Sequence, residues 1–182
     1  GQEPGDIKVQ DVDGNGVITT DDRIIYSQRP DVTFGFNNTF NYKGFDLSVF
    51  LYARLGQWIA YDYNTTYRIN ALENGGNVDY WTPENPTNAF PCPNKSKSYT
   101  QVTYYSTLKY EDGSFFKIRD ITLGYTFKPE LLKHLNLSKL RVYATAKNFF
   151  TFSKIDNYDP EQGGSISFPM TKQLVFGLNV EF

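Results

Sequence analysis

FDLSVFLYARL, Phe45–Leu55, places Phe45, Leu47, Val49, Leu51, Ala53 and Leu55 on one side of an extended chain. Asp46, Ser48, Phe50, Tyr52 and Arg54 fall on the other. That period of two is the pattern of a β-strand whose faces meet different surroundings. The stretch before it, DVTFGFNNTFNY, has the same period, with Val32, Phe34, Phe36, Phe40 and Tyr42 against Thr33, Gly35, Asn37, Thr39 and Asn41. Lys43-Gly44 between the two reads as a tight turn. Three further segments repeat the alternation. Ile121, Leu123, Tyr125 and Phe127 oppose Asp120, Thr122, Gly124 and Thr126. Leu140, Val142, Ala144, Ala146, Phe150 and Phe152 oppose Arg141, Tyr143, Thr145 and Lys147. Leu174, Phe176, Leu178, Val180 and Phe182 oppose Val175, Gly177, Asn179 and Glu181.

Each segment is about ten residues or longer, where strands of globular sheets average nearer five or six. About ten residues tilted by about 45° is the length that crosses a bilayer as a barrel strand. The connections are sorted by length. Residues 42–44 and 128–139 are short, and residues 61–113 and 153–172 are long. Short turns at one end and long loops at the other mark an outer-membrane barrel. The expected fold class is therefore all-β, an antiparallel transmembrane barrel segment with aromatics and aliphatics toward lipid. The opposite face, with its amides, small residues and scattered charges, suits a wet or plugged lumen. Five strands cannot close a barrel, and an open sheet edge in hydrocarbon is not tolerated. Residues 31–182 are thus expected to be the last five strands of a larger barrel, and residues 1–30 an extracellular loop. The alternative is a secreted, calcium-stabilised β-sandwich that binds glycans through exposed aromatics, since a half-buried soluble sheet also alternates.

Composition bounds the function. The 182 residues carry 15 Phe, 14 Tyr and 2 Trp, an aromatic load beyond what one ordinary core needs. The net charge of −2 gives no reason to expect a nucleic-acid partner. No stretch approaches the roughly 18 apolar residues of a membrane-spanning helix. Cys92 is the only cysteine and His134 the only histidine. They fall in connections at opposite ends of the strands, so a thiol–imidazole pair is not expected. Asp156, Asp159 and Glu161 in NYDPEQ have nothing to fix a glycosidase spacing, and a loop-ordering role is expected of them. No enzymatic activity is expected. Tyr52, Arg54, Arg119, Asp120, Tyr143 and Lys147 are expected to face the lumen and to hydrogen-bond a plug.

DVDGNGVITTDD, Asp11–Asp22, has the spacing of an oxygen cage for calcium. Asp11, Asp13, Asn15, the Val17 carbonyl, Thr19 and Asp22 occupy positions 1, 3, 5, 7, 9 and 12, with Gly16 at the turn. Asp22 stands where a longer Glu is usual, so the loop must close more tightly or forgo bidentate contact. A weakly held structural Ca²⁺, stiffening an extracellular loop, is the expectation.

The chain closes on Phe182, in phase with the apolar face. Gly177, Val180 and Phe182 resemble the terminal signal read by the bacterial barrel-assembly machinery. Val175 stands where that pattern has a polar residue. GDIKVQDVDGNGVITTDDR, RPDVTFGFNNTFNYKGFDLSVFL, DYWTPENPTN, DGSFFKIRDITLGYTF, LRVYATAKNFFTF and NYDPE occur in that order. Together they resemble the C-terminal portion of SusC/RagA-type TonB-dependent transporters of Bacteroidetes outer membranes. The resemblance implies the end of a 22-stranded plugged barrel that takes up oligosaccharides or peptides. It also implies a SusD-like surface lipoprotein as partner, and TonB–ExbB–ExbD acting through parts outside this chain.

Overall fold

The computed structural model describes residues 3–61, 63, 79–92 and 106–182. Among them are seven strands: β1 (Val32–Tyr42), β2 (Phe45–Leu55), β3 (Trp58–Ala60), β4 (Tyr110–Asp112), β5 (Phe115–Thr126), β6 (Lys139–Ser153) and β7 (Gln173–Glu181). The five long ones form one antiparallel sheet in the order β1-β2-β5-β6-β7, each beside its predecessor. β1 and β2 meet through Lys43 and Gly44, both at positive φ (47° and 90°), the geometry of a two-residue hairpin turn. β5 and β6 are joined by a helical turn, Pro129–Leu132, continued as a 3₁₀ turn, Lys133–Leu135. Both short connections fall where the sequence places them.

The ladder registers the five alternations with one another. Phe34 pairs with Ala53, Leu47 with Leu123, Leu123 with Ala144 and Ala144 with Phe176, so the apolar positions share one face. Among the described residues no second layer covers it: Phe176 is 77 % exposed and Leu178 68 %. The buried apolar cluster lies elsewhere. Ile59, Tyr61 and Ile155 pack with Tyr63 and Tyr158 in a layer of loops at one end of the sheet.

Plain alternation fails at one place in β5. Phe50 pairs with Asp120 but Leu51 with Ile118, and on the other side Ile118 pairs with Phe150 but Asp120 with Lys147. Arg119 is left out of both ladders as a bulge, and Asn148, facing the irregularity, takes φ 58°. Counting back from Ile121 by twos would put Arg119, Lys117 and Phe115 on the apolar face. The extra residue reverses the phase, so Lys117 stands opposite Tyr52 and Phe115 opposite Arg54, both on the polar face.

The loop layer has structure of its own. The sequence reads 61–113 as a plain loop, but its two ends are tied by the β3–β4 ladder. Tyr61 N–H donates to the Lys109 carbonyl (2.9 Å), and Gly113 N–H to that of Gln57 (2.9 Å). The interior of the connection, 64–78 and 93–105, lies outside the described residues. The Tyr26 ring sits between Trp58 (4.6 Å) and Tyr110 (5.3 Å), which anchors the end of segment 1–30 to this layer.

Candidate functional site

Residues 11–22 wind around three carboxylates. Oxygens of Asp11, Asp13 and Asp22 lie within 4.8 Å of one another. The loop's own backbone gathers them there. Asp11 accepts from Gly14 and Gly16 N–H (2.8 and 2.7 Å), and Asp13 accepts from Asn15 (3.0 Å). Asp22 reaches back to Val12 and Thr19 N–H, both at 2.7 Å. Gly14 and Gly16 supply the positive φ (73° and 82°) that the winding requires. The Thr19 and Val12 amides hold the Asp22 carboxyl below its usual 3.8, so it is charged at neutral pH. Each carboxylate oxygen keeps a second lone pair, and an all-oxygen set suits a hard cation such as Ca²⁺. Asn15 Oδ1, which accepts from Val17 N–H (2.7 Å), and the Thr19 hydroxyl, which accepts from Asp21 N–H (3.2 Å), belong to the same turn. The donor types fit the ion.

The second cluster lies on the polar face of the sheet. Asp159-Pro160-Glu161-Gln162-Gly163 forms a capped 3₁₀ turn, with Asp159 accepting from Glu161 N–H and Gly163 closing it at φ 68°. That turn sets both carboxylates on Lys117. Its Nζ donates to Asp159 Oδ1 and Oδ2 (2.9 and 2.7 Å) and to Glu161 Oε2 (2.8 Å), and its side chain has no exposed surface. Arg119 Nη1 reaches the other Glu161 oxygen at 3.0 Å. Asp159 and Glu161 therefore order the loop, as NYDPEQ leads one to expect, while Asp156 is exposed. Tyr52, Arg54, Asp120, Tyr143 and Lys147 all lie on the polar side of the ladder, and Lys147 approaches Asp120 at 3.8 Å.

Sequence reasoning missed Lys117 itself and the Arg141–Asp46 ion pair. That pair joins β6 to β2 across β5, passing over Gly124, where any side chain would collide with both partners. Glycines at polar-face positions were the available signal. Gly177 repeats the arrangement, lying under the Tyr143 ring. Val180 pairs with Leu140 on the apolar face, and Phe182 is fully exposed beyond β7. Cys92 donates its N–H to Gly5 in the loop layer, whereas His134 lies in the β5–β6 turn at the other end.

No protein-family model matches the chain. It is 31 % identical over 180 residues to the TonB-dependent receptor SusC of Bacteroides thetaiotaomicron, a match covering 94 % of the chain. TonB-dependent receptor P3 of Formosa agariphila is 30 % identical over 203 residues, covering 99 %. The RagAB peptide importer in its closed-closed state superposes on 94 % of the chain with a TM-score of 0.68 and 26 % identity. Over nearly its whole length the chain is similar to SusC/RagA-type TonB-dependent receptors. It spans 17 % of SusC, 19 % of P3 and 20 % of the RagAB chain. In a SusC/RagA-type protein the five strands are the C-terminal part of a β-barrel. The uncovered apolar face and the two open edges of this sheet follow from that. Among the described residues no helix is long and apolar enough to cross a membrane, which says nothing about strands. The relatives are receptors and transporters, not enzymes.

Proposed function

We propose that this chain forms barrel wall and outer loops of an outer-membrane importer that takes up oligosaccharides or peptides. In this proposal a SusD-like surface lipoprotein closes over the barrel mouth and TonB–ExbB–ExbD supplies the energy through parts outside this chain. The connections 61–113 and 153–172, with residues 1–30, face the cell exterior, and the turns at 42–44 and 128–139 face the periplasm. Gly177, Val180 and Phe182 serve the barrel-assembly machinery, and the apolar face meets outer-membrane lipid. The observation that carries this reading is the uncovered apolar face of five long strands paired in chain order. A water-soluble sandwich would bury that face under a second sheet about 10 Å away. The deciding experiment is the mass and fractionation of the native polypeptide that carries these residues. A detergent-requiring species in the outer membrane, several times the 20.9 kDa of this chain, supports the importer. A water-soluble species of 20.9 kDa, folded alone, would overturn it.

The loop Asp11–Asp22 is proposed to hold a structural Ca²⁺ through Asp11, Asp13, Asn15, the Val17 carbonyl, Thr19 and Asp22. Its role is to stiffen the outer segment that leads into β1. Hydrogen exchange of residues 11–22 in the whole receptor tests this. Protection that rises with added Ca²⁺ and falls with chelator is expected, and protection indifferent to both would refute it.

A further inference from the structure

Most cations on the polar face of the sheet have a carboxylate of their own. Lys117 has Asp159 and Glu161, Arg119 has Glu161, Arg141 has Asp46, Lys147 approaches Asp120, and Lys139 meets Glu181. Arg54 has none among the described residues. Asp31, the acidic residue just before β1, lies against Gly56 instead. Arg54 is nonetheless held in place. Its Nε donates to the Tyr52 hydroxyl at 2.8 Å, and its guanidinium lies 5.5 Å from the centre of the Tyr52 ring. The Arg119 guanidinium approaches the same ring at 5.5 Å, and Phe115, itself buried, lies 5.8 Å away.

This arrangement leaves a surplus positive charge in a defined orientation. Lys117, Arg119 and Arg54 carry three positive charges against the two negative charges of Asp159 and Glu161. With Nε committed to tyrosine, both Nη groups remain, among the described residues, as a fork for two oxygens of one anion. Tyr52 fixes χ angles that a free arginine would lose on binding, which lowers the entropic cost of capture. Position matters as much. Arg54 is the last residue but one of β2, at the end of the sheet that carries the loop layer. The Arg141–Asp46 pair lies at the opposite end, near the hairpin turns.

We propose that Arg54, oriented by Tyr52 and supported by the charge of Arg119, is a carboxylate-binding subsite at the mouth of the barrel. Its ligand is a carboxylate carried by the cargo, either the C-terminus of a peptide or a uronate of an acidic glycan. The proposal rests on the importer reading above, because only there does this face line a passage.

The experiment uses the whole receptor in detergent and equilibrium dialysis with two matched pairs of probes. One pair is a pool of heptapeptides with free C-termini and the same pool amidated. The other is trigalacturonic acid and its methyl ester. The wild-type receptor should bind one acid at least about tenfold more tightly than its neutral partner, as one charge-assisted pair allows. The pair that shows the preference names the source. R54Q should abolish the preference by weakening the acid form far more than its neutral partner, and R54K should keep part of it. Equal binding of acid and neutral forms by wild type overturns the subsite, as does R54Q retaining the preference. Equal weakening of both forms by R54Q overturns it too, since the residue would then be a structural support or a tie to the plug. Absence of binding to all four probes also overturns it. Neutral probes bound without acid preference leave the importer standing while the subsite falls, so the two failures are distinguishable.

Discussion

In the sheet β1-β2-β5-β6-β7 the backbone ladder supplies the cohesion and the apolar side chains point away from the protein. In the loop layer at its end the apolar side chains of Ile59, Tyr61 and Ile155 point inward, and short ladders, side-chain hydrogen bonds and ion pairs do the joining. The contrast locates what each region needs from outside. The loop layer carries its own small core. The sheet exposes its apolar face and both edge strands, so it is stable only where lipid covers the face and further strands pair the edges. One chain thus contains a part whose stability is internal and a part whose stability is conditional.

The seam between the two regions is Lys117, and breaking it should have the largest effect. Lys117→Met removes the only cation fully buried against Asp159 and Glu161 among the described residues. Removing one partner of a buried pair costs roughly 3–5 kcal/mol, because the remaining charges are left desolvated. The turn 159–163 escapes that cost by leaving the sheet. Amides of 155–163 should therefore lose protection in hydrogen exchange while the ladder amides of β2, β5 and β6 keep theirs. Arg119→Gln, at a side chain 39 % exposed, should move the same amides by no more than about 1 kcal/mol. Equal effects from the two substitutions would mean that the seam is not where the burial puts it.

Next comes a test of the conditional part. Leu178 faces outward on β7 and Asn179 faces the polar side. Leu178→Arg should cost about 2–4 kcal/mol near the bilayer midplane, seen as a lower yield of folded barrel in the outer membrane. Asn179→Arg should leave that yield nearly unchanged. If both are tolerated alike, the two faces have been wrongly assigned.

A smaller effect bears on Gly177, which has two roles open to it. As the seat of the Tyr143 ring it tolerates no Cβ unless the ring moves. Gly177→Ala should then cost about 1–3 kcal/mol as an overpacking change. Adding Tyr143→Ala should restore most of the loss, read as folded-barrel yield. If Gly177 acts only through the terminal assembly signal, removing Tyr143 restores nothing.

The split between the regions also explains what could be read from the sequence. Five strands, their faces and both short turns were legible because period-2 alternation is a local property imposed by two different surroundings. The bulge at Arg119 was not, since an unpaired residue shows only against its partner strands. Its trace is that Arg119 and Asp120, adjacent in sequence, are both charged. The loop layer was legible only where hydrogen-bonding partners are close together in sequence, as in the turns of Asp11–Asp22 or the capped turn at Asp159. Lys117 meets partners 42 and 44 residues away and Arg141 one 95 residues away, distances that no local pattern encodes. The β3–β4 ties across 57–113 were hidden because three-residue strands carry too little alternation to see.

The smallest expected effect separates the loop Asp11–Asp22 from the rest of the loop layer. Thr19 and Val12 amides depress the folded-state pKa of Asp22 below 3.8, so the charged carboxylate favours the wound loop. The stabilisation from such a group is full above its unfolded pKa and is lost as pH falls through the lower folded value. Lowering the pH from above 3.8 through the depressed folded value should therefore loosen residues 11–22, with amide protection of Val12 and Thr19 lost together. Ca²⁺ competes with protons for the same oxygens, so saturating metal should move this loss to lower pH. Asp22→Asn keeps an oxygen for one amide but removes the charge. It should abolish both the acid step and the metal-dependent shift while leaving the Tyr26–Trp58 contact intact. An acid step that survives Asp22→Asn would show that Asp22 is not the group behind it. Loss of the Tyr26–Trp58 contact would show that the loop and the layer behind it unfold as one unit.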